Sequence, residues 1–255
     1  MGIQFHGKMR LGASPFCWQQ QKANLAISVK IHSMNGKYRG KFWKLIFVFM
    51  VNIRHRRKKL SFVLSDRQRN ILIGSLLGDA NIHLKGKDCR VFFKHSLRQL
   101  PLLRWKRRES TEVTGMLVNK FEQIVKGKTY YFAQFVTLTH PDFTRLNRIF
   151  YKNKKKIIPK NIDRLLIHPI SLAVWIMDDG SKDNVGLTIQ THSFTNYEVK
   201  RLISALKKNF KLIATARKNR GKVIIYFPKS QIGRLWELVE EYILPEYRYK
   251  FPVTP

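Results

Sequence analysis

Acidic residues are scarce in this chain. Sixteen Asp and Glu stand against 49 Lys and Arg, giving a formal net charge of +33 over 255 residues. So large a basic excess selects polyanionic partners, DNA or RNA before an anionic membrane surface. Cysteine is nearly absent as well. Cys17 and Cys89 show no Cys-x-x-Cys spacing, so no zinc site of the Cys/His type is expected. A reducing, intracellular compartment is the natural reading, with a single disulfide as the open alternative. Long apolar runs are also missing: "LIFVFMV" at Leu45–Val51 is far short of the roughly 20 residues a membrane span needs. It reads as a strand or a buried segment, and no membrane partner is expected. Hydrophobic and aromatic residues are not lacking, and at 44% and 12% they exclude a mostly disordered chain.

The missing acids divide the chain. The first 65 residues hold none, and Asp66 is the first. Residues 1–62 therefore read as a basic leader, closing with "RHRRKKL" at Arg54–Leu60. An organelle transit peptide, a nucleic-acid-contacting arm and a translated upstream extension compete for it. The leader lacks the Ser-rich, amphipathic character of a transit peptide, which favours the extension. Two further units follow, at 63–165 and 166–255.

From Leu64 the texture changes. "LSDRQRNILIGSLLGDANI" carries Ser65 as an N-cap candidate and then apolar residues at helical spacing. "CRVFFKHS" and "TYYFAQFVTLTH" read as strands, separated by a helical "LPLLRWKRRESTEV". "HPDFTRLNRIFYKNKKK" reads as another helix. The order then recurs: apolar helix "HPISLAVWIMDDGS", strand "VGLTIQTHSF", and helix "TNYEVKRLISALKKNF" with Thr195 and Glu198 as a capping box. A hairpin turns about Asn219–Gly221, and the helix "QIGRLWELVEEYI" closes the series. This is a weak internal duplication.

Its anchors are two aspartates 100 positions apart, Asp79 and Asp179. "LIGSLLGDA" (Leu72–Ala80) aligns with "LAVWIMDDG" (Leu172–Gly180), and each is an apolar helix ending in an acid. A helix C-terminus carries partial negative charge and disfavours an acid there. Packing two such helices side by side brings the carboxylates together and raises the cost. A divalent cation between them reverses both terms. Gly74 and Gly78 share one helical face, where another helix could approach closely, whereas bulky Val174 stands where Gly74 does. Taken alone, either acid is more often a helix stop than a ligand; in register on a basic, duplicated chain, the pair points to a metal site.

These residues resemble the LAGLIDADG homing endonucleases in their single-chain, two-motif form. The eighth position of each nine-residue signature is Asp79 or Asp179. "NKKKIIP", with Lys156, and "YILPEYRYKFP", with Lys250, are similar to segments of that family, as is "IQTHSFTNYEVKRLISALKKNF". The similarity covers about residues 65–252, and the leader has no counterpart. Two departures are Ala80 in place of the motif glycine and the bulk of Val174. His192 holds a strand position often polar in relatives, and Phe92 is its expected counterpart in the first half.

The resemblance implies an α+β fold: two pseudo-symmetric αββαββα-type halves packed through the motif helices, with β-sheet saddles facing DNA. It implies that Asp79 and Asp179 are catalytic and bind Mg²⁺, with Mn²⁺ able to substitute, aided by the backbone carbonyls of Gly78 and Asp178. Lys156 and Lys250 would stabilise phosphate charge or help activate water. DNA contacts fall to the strands, where alternate residues share a face. The candidates are Lys85, Lys87, Arg90, Lys94 and Gln134 in the first half, and Gln190, His192, Arg217, Lys218, Arg220 and Lys222 in the second. The implied activity is site-specific double-strand cleavage of DNA by a monomer acting on a long asymmetric target, encoded within an intron of a mitochondrial or chloroplast genome. Rivals are a group I intron maturase binding intron RNA on the same fold, a non-catalytic DNA-binding regulator, and a different metal nuclease built from Asp142, Glu198 and Lys200.

Overall fold

The computed structural model describes residues 62–252 other than residue 116. The leader, with its apolar run and basic cluster, lies outside the described residues. The first half begins with α1 (Asp66–Leu77), β1 (Asn81–Lys85) and β2 (Asp88–Ser96). It continues with α2 (Leu100–Glu109), β3 (Asn119–Val125), β4 (Lys128–Val136) and α3 (Pro141–Phe150). A two-residue hairpin of β5 (Tyr151–Lys152) and β6 (Lys155–Lys156) follows. The second half repeats the order with α4 (Pro169–Asp179), β7 (Gly180–Asp183), β8 (Gly186–Ile189) and α5 (Asn196–Phe210). It ends with β9 (Thr215–Asn219), β10 (Lys222–Phe227), α6 (Lys229–Val239) and the 3₁₀ turns Glu240–Tyr242 and Pro245–Lys250. Each half builds one antiparallel four-stranded sheet, in the orders β1-β2-β4-β3 and β7-β8-β10-β9. The expected α+β architecture of two αββαββα halves is therefore present.

Local chemistry explains the helix ends. The Ser65 hydroxyl accepts from the Gln68 N–H while the Gln68 side chain accepts from the Ser65 N–H, and Thr195 and Glu198 form the same box on α5. The α4 helix is buried from Ile170 through Asp178 on every side, as expected of a helix apolar all round. Its neighbour α1 is buried from Ile71 to Leu77. The two pack at the centre, and the glycines of α1 set their separation. A Cβ on Gly74 would collide with the Ser171 carbonyl oxygen and sit 2.9 Å from the Val174 Cβ; one on Gly78 would sit 2.6 Å from the Asp178 Cβ. The bulk of Val174 is thus matched by the gap at Gly74 directly across the interface.

Several elements depart from the expected pattern. The helix after "HPD" stops at Phe150, because Asn153 and Lys154 take positive φ angles of 49° and 62° and turn the chain into the β5–β6 hairpin. Strand β8 ends at Ile189, so His192 lies in the turn beyond it and holds no strand position. Register places Phe92 opposite Asn81 and Thr188 opposite Ser181. Phe92 therefore corresponds to Thr188, and not to His192.

If the central contact is this tight, Gly74→Ala should lose about 1–3 kcal/mol of stability by overpacking. Gly233→Ala, on α6 with nothing within 4 Å of its added Cβ, should gain up to ~1 kcal/mol from helix propensity. Urea unfolding of the two variants reads both, and a Gly74→Ala chain as stable as wild type would refute the packing argument.

Candidate active site

Both acids stand at the helix ends where the sequence puts them. Asp79 follows α1 and its capping Gly78, and Asp179 is the last residue of α4. Each helix end also meets a lysine from the segment that closes its own half. Lys156 on β6 donates to the carbonyls of Gly78 at 2.8 Å and Ala80 at 2.7 Å. Lys250 donates to those of Ile176 at 3.3 Å, Met177 at 2.6 Å and Asp178 at 3.2 Å. These ammonium groups satisfy carbonyls that a helix end leaves unpaired and offset its negative pole. The Gly78 and Asp178 carbonyls expected to face a cation thus face lysine ammonium groups in this structure.

The Lys156 segment is pinned from the second half. The Glu198 carboxylate accepts from the Ile158 N–H at 2.9 Å, and Arg201 donates to the Ile158 carbonyl at 2.7 Å. Glu198 also accepts from the Thr195 N–H and hydroxyl. Its oxygens are committed to backbone and cap, which leaves it unsuited to the alternative Asp142–Glu198–Lys200 nuclease site.

The charges interact strongly. Burial alone would raise the Asp79 carboxyl, but His95, Lys106 and Lys156 beside it outweigh that and hold it below the usual aspartate range. The Asp179 carboxyl is not compensated in this way. Burial, then the charges of Asp178 and Asp79, push it up to about 8, against the smaller pull of Lys156 and Lys250. Burial pushes the Lys156 amine down to about 8, with Asp179 and Asp79 opposing. Burial lowers the Lys250 amine as well, against the three aspartates.

Sequence reasoning missed three features. The Asp178 side chain is fully buried and crosses from α4 into the first half, where both oxygens accept from the Lys106 ammonium, at 2.6 and 2.8 Å. Lys106, on α2, is itself fully buried. His95, on β2, is 1% exposed and lies between: its Nε2 is 3.4 Å from Lys106 Nζ and its Nδ1 is 3.3 Å from Asp79 Oδ2. Asp79, His95 and Asp178 lie close enough to hold a metal ion together. However, the Lys106 ammonium already sits on the Asp178 carboxylate, in the place a cation would take. The signal for these residues was present. His95 continues the inward alternation of Cys89, Val91 and Phe93, and Lys106 lies on the buried stripe of Leu102, Leu103 and Trp105.

The sheets sort the candidate DNA contacts. In the first half the pairings put His83, Lys85, Arg90, Phe92, Lys94 and Gln134 on one face. Arg90 lies over the Phe92 ring, and Lys94 over Phe121 and Phe132. Lys87 lies in the β1–β2 turn. In the second half Arg217 and Lys222 share the face of Tyr226, with Arg217 over that ring and 3.5 Å from Asp183. Gln190 directly follows β8, and Arg220 occupies the β9–β10 turn with φ 49°. Lys218 pairs with Val223, which packs against the core, so it points to the opposite face. The structure does not bring Lys218 and His192 onto the strand face with the others.

Two packed helices ending in acids, with two sheets that each carry basic and aromatic residues on one face, are an arrangement suited to a nucleic-acid partner. A profile of the LAGLIDADG DNA endonuclease family matches residues 69–235. The chain is 32% identical over 212 residues to probable intron-encoded endonuclease 1 of Wickerhamomyces canadensis, covering 76% of this chain and 87% of the relative. It is 31% identical over 188 residues to cytochrome b mRNA maturase bI2 of Debaryomyces hansenii, covering 71% of each. The structure of the homing endonuclease I-WcaI bound to its DNA recognition sequence matches with a TM-score of 0.71 at 30% identity, over 78% of this chain and 91% of that one. The chain belongs to the LAGLIDADG DNA endonuclease family.

Removing one member of the buried ion pair leaves the other uncompensated. Lys106→Met should therefore lose about 3–5 kcal/mol in equilibrium unfolding, and the double variant Lys106→Met/Asp178→Leu should recover most of it. A double variant no more stable than Lys106→Met would refute the pairing as the cause.

Proposed function

We propose that this chain is a site-specific double-strand DNA endonuclease, an intron-encoded homing endonuclease acting as a monomer on a long asymmetric target. The observation that carries this reading is the juxtaposition of Asp79 and Asp179 at the ends of two packed helices, each end held by its own lysine. In this reading 1–62 is a leader and 63–165 and 166–255 are the two catalytic halves. The similarity to intron-encoded relatives supports an origin in an organelle genome, mitochondrial or chloroplast.

The residues fit a divalent cation. Asp179 is held above the usual carboxyl range first by burial and then by the negative charge of Asp178 and Asp79, and a cation beside it would favour its charged form. A surplus of oxygen donors suits a hard ion. Asp79 and Asp179 would hold Mg²⁺, or Mn²⁺ in its place. The Gly78 and Asp178 carbonyls would add donors, since a carbonyl bonded to one lysine keeps a second lone pair. Such an ion supplies an activated water and charge stabilisation for in-line phosphodiester displacement. The chain's own groups then position and neutralise. Lys156 and Lys250 place ammonium groups beside the carboxylates, where phosphate charge develops. The lowered Lys156 amine is suited to hold or release a proton near neutral pH.

Lys85, Arg90, Lys94 and Gln134, with Gln190, Arg217 and Lys222, form the DNA-facing set, and Lys87 and Arg220 flank it from the turns. Several phosphate contacts of this kind make affinity fall steeply with salt. A second reading, an intron maturase that binds RNA, is favoured by the similarity to the Debaryomyces maturase. Splicing of the parent intron with and without the protein separates the two.

Incubation with Mg²⁺ and an intronless allele of the host gene should give a double-strand break. Asp79→Asn and Asp179→Asn should each abolish it, as should a chelator. Cleavage surviving both substitutions would sink the assignment. The Asp179 carboxyl also gives a pH test. It must lose its proton to ligate, and a value raised to about 8 means that protons compete below that pH. Mg²⁺ affinity should therefore rise between about pH 7 and 9, with proton release on binding. Calorimetry in two buffers of different ionisation enthalpy reads that release, and buffer-independent heats would contradict it.

A further inference from the structure

The two halves repeat each other element by element, so each residue of the buried network has a counterpart. Ala80 lies next to Asn81, which pairs with Phe92, and Gly180 pairs with Ile189. Counting outward along β2 and β8, His95 corresponds to Thr191. Counting from the N-caps Gln99 and Thr195, Lys106 corresponds to Leu202. Position by position in the motifs, Asp178 corresponds to Gly78. Thr191 donates to the Val223 carbonyl at 2.7 Å, and Leu202 is fully buried. Among the described residues the network of His95, Lys106 and Asp178 thus has as counterparts a self-satisfied threonine and a leucine in the second half, and a glycine in the first.

The donors in that network can be assigned. An ammonium has three donors and no acceptor. Two directions from Lys106 Nζ lead to the Asp178 oxygens, and the third leads to His95 Nε2 at 3.4 Å. A nitrogen facing an ammonium must be the acceptor, so the imidazole proton sits on Nδ1. Nδ1 is a buried nitrogen with no aligned hydrogen-bond partner among the described residues, and the acceptor nearest to it is Asp79 Oδ2 at 3.3 Å. The chain of contacts therefore runs Asp178, Lys106, His95, Asp79. Nε2 is nearer to the Lys106 ammonium than to Asp178 Oδ1, at 3.4 against 3.7 Å, and a small turn of the exposed Asp79 carboxylate would align it with the Nδ1 proton. Asp79 is 42% exposed and could swing, whereas its three supports are at most 1% exposed. An exposed acid beside a rigid, buried histidine is an arrangement by which a supporting shell orients a ligand.

We propose that His95 is a positioning residue for Asp79, locked in its Nδ1–H form by the Lys106–Asp178 pair, and that Asp179 has no equivalent. The two carboxylate sites are built unequally, and their reactions depend on different residues. This rests on the endonuclease reading for its kinetic consequence and on the fold alone for its tautomer.

The test has two arms on the full-length chain. In the first, nitrogen NMR of the wild-type protein in chelator should show His95 neutral and protonated on Nδ1. An Nε2-protonated or doubly protonated ring overturns the proposal without reference to cleavage. In the second, His95→Thr, which copies Thr191, is assayed on target DNA with each strand labelled separately. Nicking of one strand should fall by roughly tenfold or more while the other stays within about twofold, the range seen when such supports are lost. His95→Gln, which keeps an acceptor and a donor, should restore most of the loss. Equal loss on both strands indicates a merely structural role and overturns the proposal, as does no loss on either. A wild-type chain that nicks neither strand counts against the endonuclease reading, while the NMR arm still decides the network.

Discussion

The contact of α1 with α4 is the constraint on which the rest depends. It can be close only because Gly74 and Gly78 leave room for Ser171, Val174 and Asp178, and closeness brings the two helix C-termini side by side. Parallel negative poles and two terminal acids all repel. The fold answers this repulsion with cations brought from distant segments. Lys156 arrives on the hairpin after the third helix of the first half, and Lys250 on the 3₁₀ turn after the third helix of the second. Each donates into the carbonyls of the motif helix of its own half. The ends of the halves therefore serve the site as much as the motif helices do.

What the sequence made legible follows from how much of each element is buried on one side. The helices α1, α4 and α5 show either continuous burial or caps with specific chemistry, and they stand where periodicity and the Ser65 and Thr195 boxes put them. The edge strands do not. Strand β3 is exposed at six of its seven positions, and β1 buries only Ile82, so neither carries an alternating pattern to read. The same limit misplaced His192, since β8 is only four residues long and its ladder ends at Ile189, which leaves His192 in the turn beyond. The acids were legible because they interrupt apolar helices. Their supports were hidden because a single inward histidine or lysine on an otherwise ordinary amphipathic element is easily read as surface.

Burial also redefines Asp178. In sequence it is the neighbour of the expected ligand Asp179 within a helix stop. In the structure its carboxylate is a fully buried anion whose partner comes from the opposite half. A buried ion pair contributes little net stability against an apolar alternative of similar volume. It does penalise any arrangement that separates its members. The pair therefore fixes which half meets which, and at what register along the two helices, more than it adds to the total.

That device requires two different halves. In a symmetric dimer of one half, every residue would appear on both sides of the axis. An acid at the seventh motif position would then meet its own copy, and a glycine would leave the space beside it empty. The combination seen here fills the space once, with Asp178 against Gly78, and supplies one cation, Lys106, on one side only. Once such a pair exists, the surroundings of the two motif acids cannot be equal. Lys106 is already spent on Asp178 and can reach His95, and through it Asp79, whereas Leu202 at the corresponding place offers Asp179 nothing. Joining the halves in one chain thus allows a complementary helix interface, and the same complementarity makes the two acids chemically distinct.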